Sequence, residues 1–157
     1  MASAVATDKF ATTNCVEMFY HAPADAATEQ SVKAGATTAT WKDLRDYDGF
    51  AVGALTALKV GNGMIELSIY AADDTSGTNA IEVKTSGAVA ADAIGDWVFL
   101  ECSAEEIRQL ASVAGTTLRY VVGYVDCHHN DDEVAVVYIR HGAKHPQDTL
   151  TAATTIA

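Results

Sequence analysis

Phe50-Ala-Val-Gly-Ala-Leu-Thr-Ala-Leu-Lys-Val60, Gly61-Asn-Gly63 and Met64-Ile-Glu-Leu-Ser-Ile-Tyr-Ala71 form the stretch on which the fold turns. Its second arm alternates with a period of two. Ile65, Leu67 and Ile69 share one face, and Glu66 and Ser68 share the other. That period belongs to a strand with one buried face. Asn-Gly favours the positive φ angles of tight turns, so the two arms predict a β-hairpin.

The same reading extends in both directions. Toward the N-terminus, residues 41–49 (WKDLRDYDG) read as a helical turn or a loop, with Trp41 and Leu44 anchoring one side. Residues 21–40 are rich in Ala, Thr, Asp and Gly and read as a long loop with one short strand near 29–32. Residues 15–20 (CVEMFY) are a strand, and residues 1–14 an arm of small polar residues. Toward the C-terminus, the dense turn cluster 73–79 leads to a strand at 80–85 with Ile81 and Val83 inward. A small-residue connector is expected at 86–93, a turn at Gly95-Asp96, and an apolar strand at 97–102 (WVFLEC).

Ser103-Ala-Glu-Glu106 is a capping box, and Ile107, Leu110 and Ala111 follow on one helical face with Gly115 as terminator. One helix is therefore predicted over 104–113. Strands at 118–126 and 134–140 flank the polar run 127–133 (CHHNDDE) and predict a second hairpin. Six to eight strands with turns every 8–12 residues or so predict an all-β fold with one short helix: an antiparallel β-sandwich, jelly-roll-like. No βαβ alternation is present, which argues against a parallel nucleotide-binding fold. The expected organisation is an N-terminal arm and loop region over 1–40 with one or two short strands, a sandwich core over 41–152 and a tail over 153–157.

The chain has 157 residues, 49% apolar and 20% charged, and a net charge of −11. Nucleic-acid binding rests on clustered Lys and Arg, so neither nucleic acid nor an anionic membrane surface is expected as a partner. No window approaches the roughly 18 apolar residues needed to span a bilayer. The first eight residues lack the basic start and apolar stretch of a signal peptide, so synthesis in the cytoplasm is expected. Cys15, Cys102 and Cys127 are odd in number and widely spaced, which predicts free thiols rather than a disulfide framework.

Candidate chemical sites each have a plainer reading. Cys127, His128 and His129, with Asp131, Asp132 and Glu133, hold metal-ligand types, but the spacing matches no zinc pattern and a solvated turn is expected. Asp73, Asp74 and Gly77 lack the ligand series of a calcium loop. Cys102 precedes a capped helix, where its pKa could fall, yet no histidine is placed beside it, and a buried structural thiol is expected. Glu105-Glu106 and Asp131-Asp132 are adjacent pairs, unlike the separated carboxylates of glycosidases. No catalytic, cofactor-binding or metal-ligating residue is nominated, and the chain is expected not to be an enzyme. The aromatics from Trp41 to Tyr138 are spread over most strands and are read as core and subunit contacts. The strands at 118–125 and 134–139 are apolar on both faces, which predicts cover on both sides, the second plausibly by another subunit.

Several segments together resemble a family: Trp41-Lys-Asp-Leu44, Tyr47-Asp-Gly-Phe50, Ile65-Glu-Leu-Ser-Ile-Tyr-Ala-Ala72, Gly95-Asp-Trp-Val-Phe-Leu-Glu-Cys-Ser-Ala-Glu-Glu-Ile107, Leu118-Arg-Tyr-Val-Val-Gly123, Tyr138-Ile-Arg140 and Leu150-Thr-Ala152. Over residues 41–152 their order is similar to that of small Ala/Thr-rich virion proteins of tailed bacteriophages, in particular head decoration or cement proteins. The resemblance implies a structural protein on the capsid exterior, commonly a homotrimer, that clamps neighbouring major capsid proteins against internal DNA pressure. It implies contacts within 1–40, where strand addition would serve, and at the 126–133 tip. The alternatives are a tail or neck component of the virion and a carbohydrate-binding or host-recognition sandwich. A cupin-like enzyme would need a His-x-His that the sequence lacks.

Overall fold

The computed structural model describes residues 15–21, 41–58, 64–90, 93–127 and 133–144. Among these described residues, eight strands and one helix occur in the order β1 (Cys15–His21), β2 (Lys42–Asp43), β3 (Gly49–Leu58), β4 (Met64–Ala72), β5 (Ile81–Ala90), β6 (Trp97–Ser103), α1 (Ala104–Ala114), β7 (Tyr120–Cys127) and β8 (Glu133–His141). They form two four-stranded sheets, β1-β8-β3-β6 and β2-β7-β4-β5. Every strand pair is antiparallel.

The pairings β1–β8, β2–β7, β3–β6 and β4–β5 are those of one long ribbon folded at its middle. The remaining pairings, β8–β3 and β7–β4, join the wrapped ribbon into two sheets. That order is a jelly roll. The sandwich read from the sequence is therefore present, and its strand order is now explicit.

Wrapping the ribbon sends consecutive strands to opposite sheets at every connection except β4–β5. This overturns both predicted hairpins. The arms around Gly61-Asn-Gly63 are β3 and β4, and those around 127–133 are β7 and β8; each pair is split between the sheets. A turn signal encodes chain reversal, not whether the returning strand lies beside the first or across the core. Both edges of β3 are taken by β6 and β8, and both edges of β4 by β5 and β7. The hairpin that does form is β4–β5, around the Asp73–Asn79 cluster.

One further expectation is corrected. Residues 86–90, expected in a connector, continue β5. The pairing with β4 shifts register twice along this strand, Gly87 has φ +62°, and Ser86 Oγ accepts from Leu67 N at 2.9 Å. These irregularities keep small residues in the sheet despite their weak strand preference. Of the two readings for residues 41–49 the loop holds, with the short β2 within it, and the helical turn does not form. Leu44 is buried and Trp41 packs against the core, as the anchoring reading required. The arm at 1–14, the proposed short strand at 29–32, the turn 61–63 and the tail lie outside the described residues.

The core fills the space between the sheets. Phe50, Val52 and Ala54 face it from β3, Ile65, Leu67 and Ile69 from β4, and Val98, Leu100 and Cys102 from β6. Val121 and Val125 of β7 and Val134, Val136 and Tyr138 of β8 complete it. Helix α1 has the predicted capping box, with Ser103 N donating to Glu106 Oε2 at 2.7 Å and Glu106 N donating to Ser103 Oγ at 3.1 Å. It ends at Gly115, φ +69°, and buries Ile107 and Ala111.

Tyr138 joins the two sheets. β2 pairs with β7 only at Tyr120 and Val121. Farther along that strand, Gly123 N donates to the Tyr138 hydroxyl at 3.1 Å, and the hydroxyl donates to Gly123 O. A side chain from the opposite sheet thus satisfies backbone groups that a longer β2 would have paired, as buried amides require. The arrangement needs glycine: a Cβ at position 123 would lie 2.8 Å from both Tyr138 Cε1 and Val52 Cγ2. The Phe50 ring meets Tyr138 edge-on at 5.2 Å.

The Asp73 carboxylate ties the β4–β5 turn to the segment leading into β7. It accepts from Asn79 Nδ2 at 2.8 Å, and from Leu118 N, Thr117 N and Thr117 Oγ1 at 2.9–3.0 Å. The Asn79 bond first, then those from Leu118 and Thr117, hold its pKa at about 2. The unfolded carboxylate titrates near about 3.9, so the native state binds the proton less readily. This stabilisation is fully present above about pH 4 and is lost as the pH falls toward about 2. The expected result is an acid-induced drop in Tm across that window that is smaller in Asp73→Asn, whose Tm at pH 7 is already lower. Parallel Tm-versus-pH curves for the two proteins would contradict the assignment.

Candidate interaction surface

The two sheets differ on their outer faces. On β2-β7-β4-β5 the outward tyrosines pack on each other, and several outward side chains end in paired polar atoms. Tyr70 and Tyr124 pack edge to face at 4.8 Å, and the Tyr70 hydroxyl donates to Glu82 Oε2 at 3.0 Å. Val122, opposite Tyr70 in register, is fully buried, and Thr85 Oγ1 donates to Glu66 Oε1 at 2.8 Å.

On β8, β3 and β6 the described outward side chains are mostly apolar. β6 alternates strictly, with Val98, Leu100 and Cys102 inward and Trp97, Phe99 and Glu101 outward. Trp97 is 55% exposed and Phe99 52%. Ile94, just before the strand, is 67% exposed. Its turn is fixed on β3: Gly95 N donates to Thr56 O, Thr56 N to Asp96 O, and Ala93 N to the Asp96 carboxylate. Leu55 sits opposite Trp97 in register. The patch is therefore held by backbone bonds at one end and by the sheet along its length.

Two glycines of β3 shape this face. The Phe99 ring lies across Gly53, where a Cβ would come within 2.6 Å of Phe99 Cδ2 and 3.0 Å of Val137 Cγ1. The His141 ring lies across Gly49, 2.4 Å from where its Cβ would be. His141 Nε2 is 2.9 Å from Glu101 Oε1, an ion-pair distance without the direction of a hydrogen bond. Among the described side chains of β3, β6 and β8, Glu101 and His141 are the outward groups that carry or can carry charge, and no Lys or Arg of these strands joins them. Contiguous exposed aromatics of this kind mark interaction surfaces.

The candidate chemical residues are not gathered at this surface. Cys102 is buried, and burial first, then the Glu106 carboxylate, push its thiol up to about 12. Burial and a raised pKa both disfavour the thiolate form there. Cys127 is a second buried free thiol. Cys15 as a side chain, His128, His129, Asp131, Asp132 and Glu133 as a side chain lie outside the described residues. The Asp74 carboxylate accepts from Ser76 N, Thr78 N and Thr78 Oγ1, so with Asp73 it is turn chemistry. Glu106 caps α1 and Glu105 pairs with Arg108 at 2.8 Å. Among the described residues no group of three or more His, Cys, Asp or Glu could hold a metal ion, and no helix is long and apolar enough to cross a membrane.

The outward aromatics of β6 were not singled out by the sequence, although a signal was present. Glu101 has the same parity as Trp97 and Phe99, so a strand that turns Glu101 to water turns both aromatics with it.

No protein-family model and no curated protein matches the chain. Among solved structures it is similar to the infectious bursal disease virus VP2 subviral particle, at 14% identity and a TM-score of 0.40, over 85% of this chain and 34% of that one. It is also similar to Bacillus endospore appendages described as disulfide-linked pili, at 14% identity and a TM-score of 0.33, over 82% and 88%. A third similarity is to the CBM22-1–GH10 modules of Clostridium thermocellum xylanase 10B in complex with xylohexaose, at 12% identity and 0.36, over 94% and 29%. The chain thus spans about a third of the VP2 and xylanase chains. At these values none of the three assigns a function to it.

Proposed function

We propose that this chain is a structural protein of a virion, a decoration protein that sits on the outside of a bacteriophage capsid and clamps neighbouring major capsid proteins. The observation that carries the reading is the apolar outer face of β6 and β3, with Ile94, Trp97 and Phe99 exposed together. A sheet face of this composition gains by being covered, at about 25 cal/mol per Å² of apolar surface removed from water. The net charge of −11 and the acidic rim at Glu101 favour a cover with a basic margin over a second copy of the same face. The capsid protein is therefore the proposed occupant, and the trimer implied by the resemblance forms through other surfaces. The reading entails no catalysis.

Fractionation of the phage particle that carries the chain tests this. Recovery in stoichiometric amounts with DNA-filled heads, together with a trimeric mass by light scattering, is expected. Recovery with tails, or absence from the particle, overturns the decoration reading.

The same exposed aromatics favour a second reading, a carbohydrate-recognition sandwich, because Trp97 and Phe99 at i and i+2 offer stacking faces. Saturable quenching of Trp97 fluorescence by a glycan, found first on an array, would support it over the decoration reading.

A further inference from the structure

A hollow of about 170 Å³ opens at the end of the sandwich where the β2–β3 loop, the start of α1 and the segment before β7 meet. Leu44, Ile107 and Leu118, each no more than 5% exposed, supply its apolar wall. Arg45, Arg108 and Arg119, from three different elements, supply its polar wall, and no Asp or Glu lines it. The Arg45 and Arg108 side chains are 60% exposed and that of Arg119 35%, so the guanidiniums stand nearer the solvent than the leucines and isoleucine.

Each guanidinium also meets a carboxylate outside the hollow. Asp43 alone serves two guanidiniums: Arg45 Nη2 lies 3.3 Å from Oδ2, and Arg119 donates from Nε at 2.9 Å to Oδ1 and from Nη2 to Oδ2. Glu105 holds Arg108 through Oε2 alone. Asp73 also accepts from Thr117 N and Leu118 N at the edge of the hollow, so three carboxylates stand near the three guanidiniums, and none of them lines the hollow. The three arginines meet in a chain of 10 Lys and Arg against 21 Asp and Glu. An acidic protein that gathers three of its arginines around an apolar hollow has built a local site for an anion with an apolar body.

We infer that this hollow binds an aliphatic carboxylate, with the carboxylate on the arginines and the hydrocarbon stem against Leu44, Ile107 and Leu118. The volume is that of roughly five or six water molecules at about 30 Å³ each, which suits a short stem rather than a fatty-acid chain. Planar guanidiniums match the carboxylate's two oxygens. A free short-chain acid and the C-terminal leucine of a peptide share this chemistry. The inference is independent of where the protein sits in a particle.

The test is titration of the whole chain, followed by NMR of the arginine Nε–H and the Leu and Ile methyl groups. Hexanoate is expected to shift Arg45, Arg108 and Arg119 together with the Leu44, Ile107 and Leu118 methyls, saturably. Hexanamide, the neutral isostere, is expected to bind at least tenfold more weakly. Arg108→Gln, on the exposed face of α1, is expected to weaken hexanoate at least fivefold with Tm unchanged. N-acetyl-Ala-Leu with a free carboxylate, tighter than hexanoate, supports the peptide source; the reverse order supports the free acid. Equal binding of hexanamide, equal binding of inorganic phosphate, or no saturable shift overturns the inference.

Discussion

Tyr138→Phe is expected to destabilise the protein by about 2–4 kcal/mol. The change removes one oxygen and leaves the ring, so the loss is not one of packing. It strips the Gly123 N–H and C=O of a buried partner, and each stranded backbone group costs about 1–3 kcal/mol. Gly123→Ala is expected to act on the same contact from the other side. Its new methyl group would meet Tyr138 Cε1 and Val52 Cγ2 at 2.8 Å. Overpacking of this kind costs about 1–3 kcal/mol, and moving the ring forfeits the hydroxyl bonds as well. Because both variants break one interaction, their effects in the double variant should fall short of additive by at least about 1 kcal/mol. Urea unfolding followed by tryptophan fluorescence measures all three. A Tyr138→Phe variant within about 0.5 kcal/mol of the parent would show that Gly123 finds other partners.

Replacement of Ile94 and Trp97 by threonine is expected to act oppositely, with a large effect on binding and a small one on stability. Both side chains are more than half exposed, and threonine keeps the strand preference at position 97. The change in Tm should stay within about 3 °C, since exposed substitutions move stability by about 0.5 kcal/mol. A buried Trp at the centre of an interface contributes about 2 kcal/mol or more, so affinity for the covering partner should fall at least about 30-fold. Phe99 is left in place because its ring fills the space above Gly53, and its removal would open the sheet itself.

The sequence carried the strands far better than their partners. Every strong apolar run became a strand, and Ser103, Glu106 and Gly115 marked both ends of the helix. Gly61-Asn-Gly63 shows the limit. A local turn signal reports that the chain reverses, and the choice between a neighbouring strand and the facing sheet depends on which edges β6, β7 and β8 have claimed from far along the chain. Small residues misled in a different way at 86–90. Ser86 and Gly87 read as a connector, yet they form an irregular stretch of sheet in which Ser86 serves the backbone of β4. The interaction face was half legible. Apolar residues on both sides of β8 called for cover on both sides, and Val137 on its outward side is already buried within the chain. The exposed remainder on β6 depended on register, which a strand apolar at nearly every position conceals until Glu101 fixes its parity. The arginine hollow was not legible, because Arg45, Arg108 and Arg119 meet only after the sandwich closes.

The most direct test is co-sedimentation of the purified chain with heads of its phage stripped of this protein, run in parallel with the Ile94→Thr, Trp97→Thr variant. The account predicts saturable, stoichiometric binding of the parent chain and loss of most of it in a variant that remains folded. Equal binding of the two chains would contradict the outer face of β6 as the docking surface. Failure of the folded parent chain to bind at all would contradict the decoration function itself.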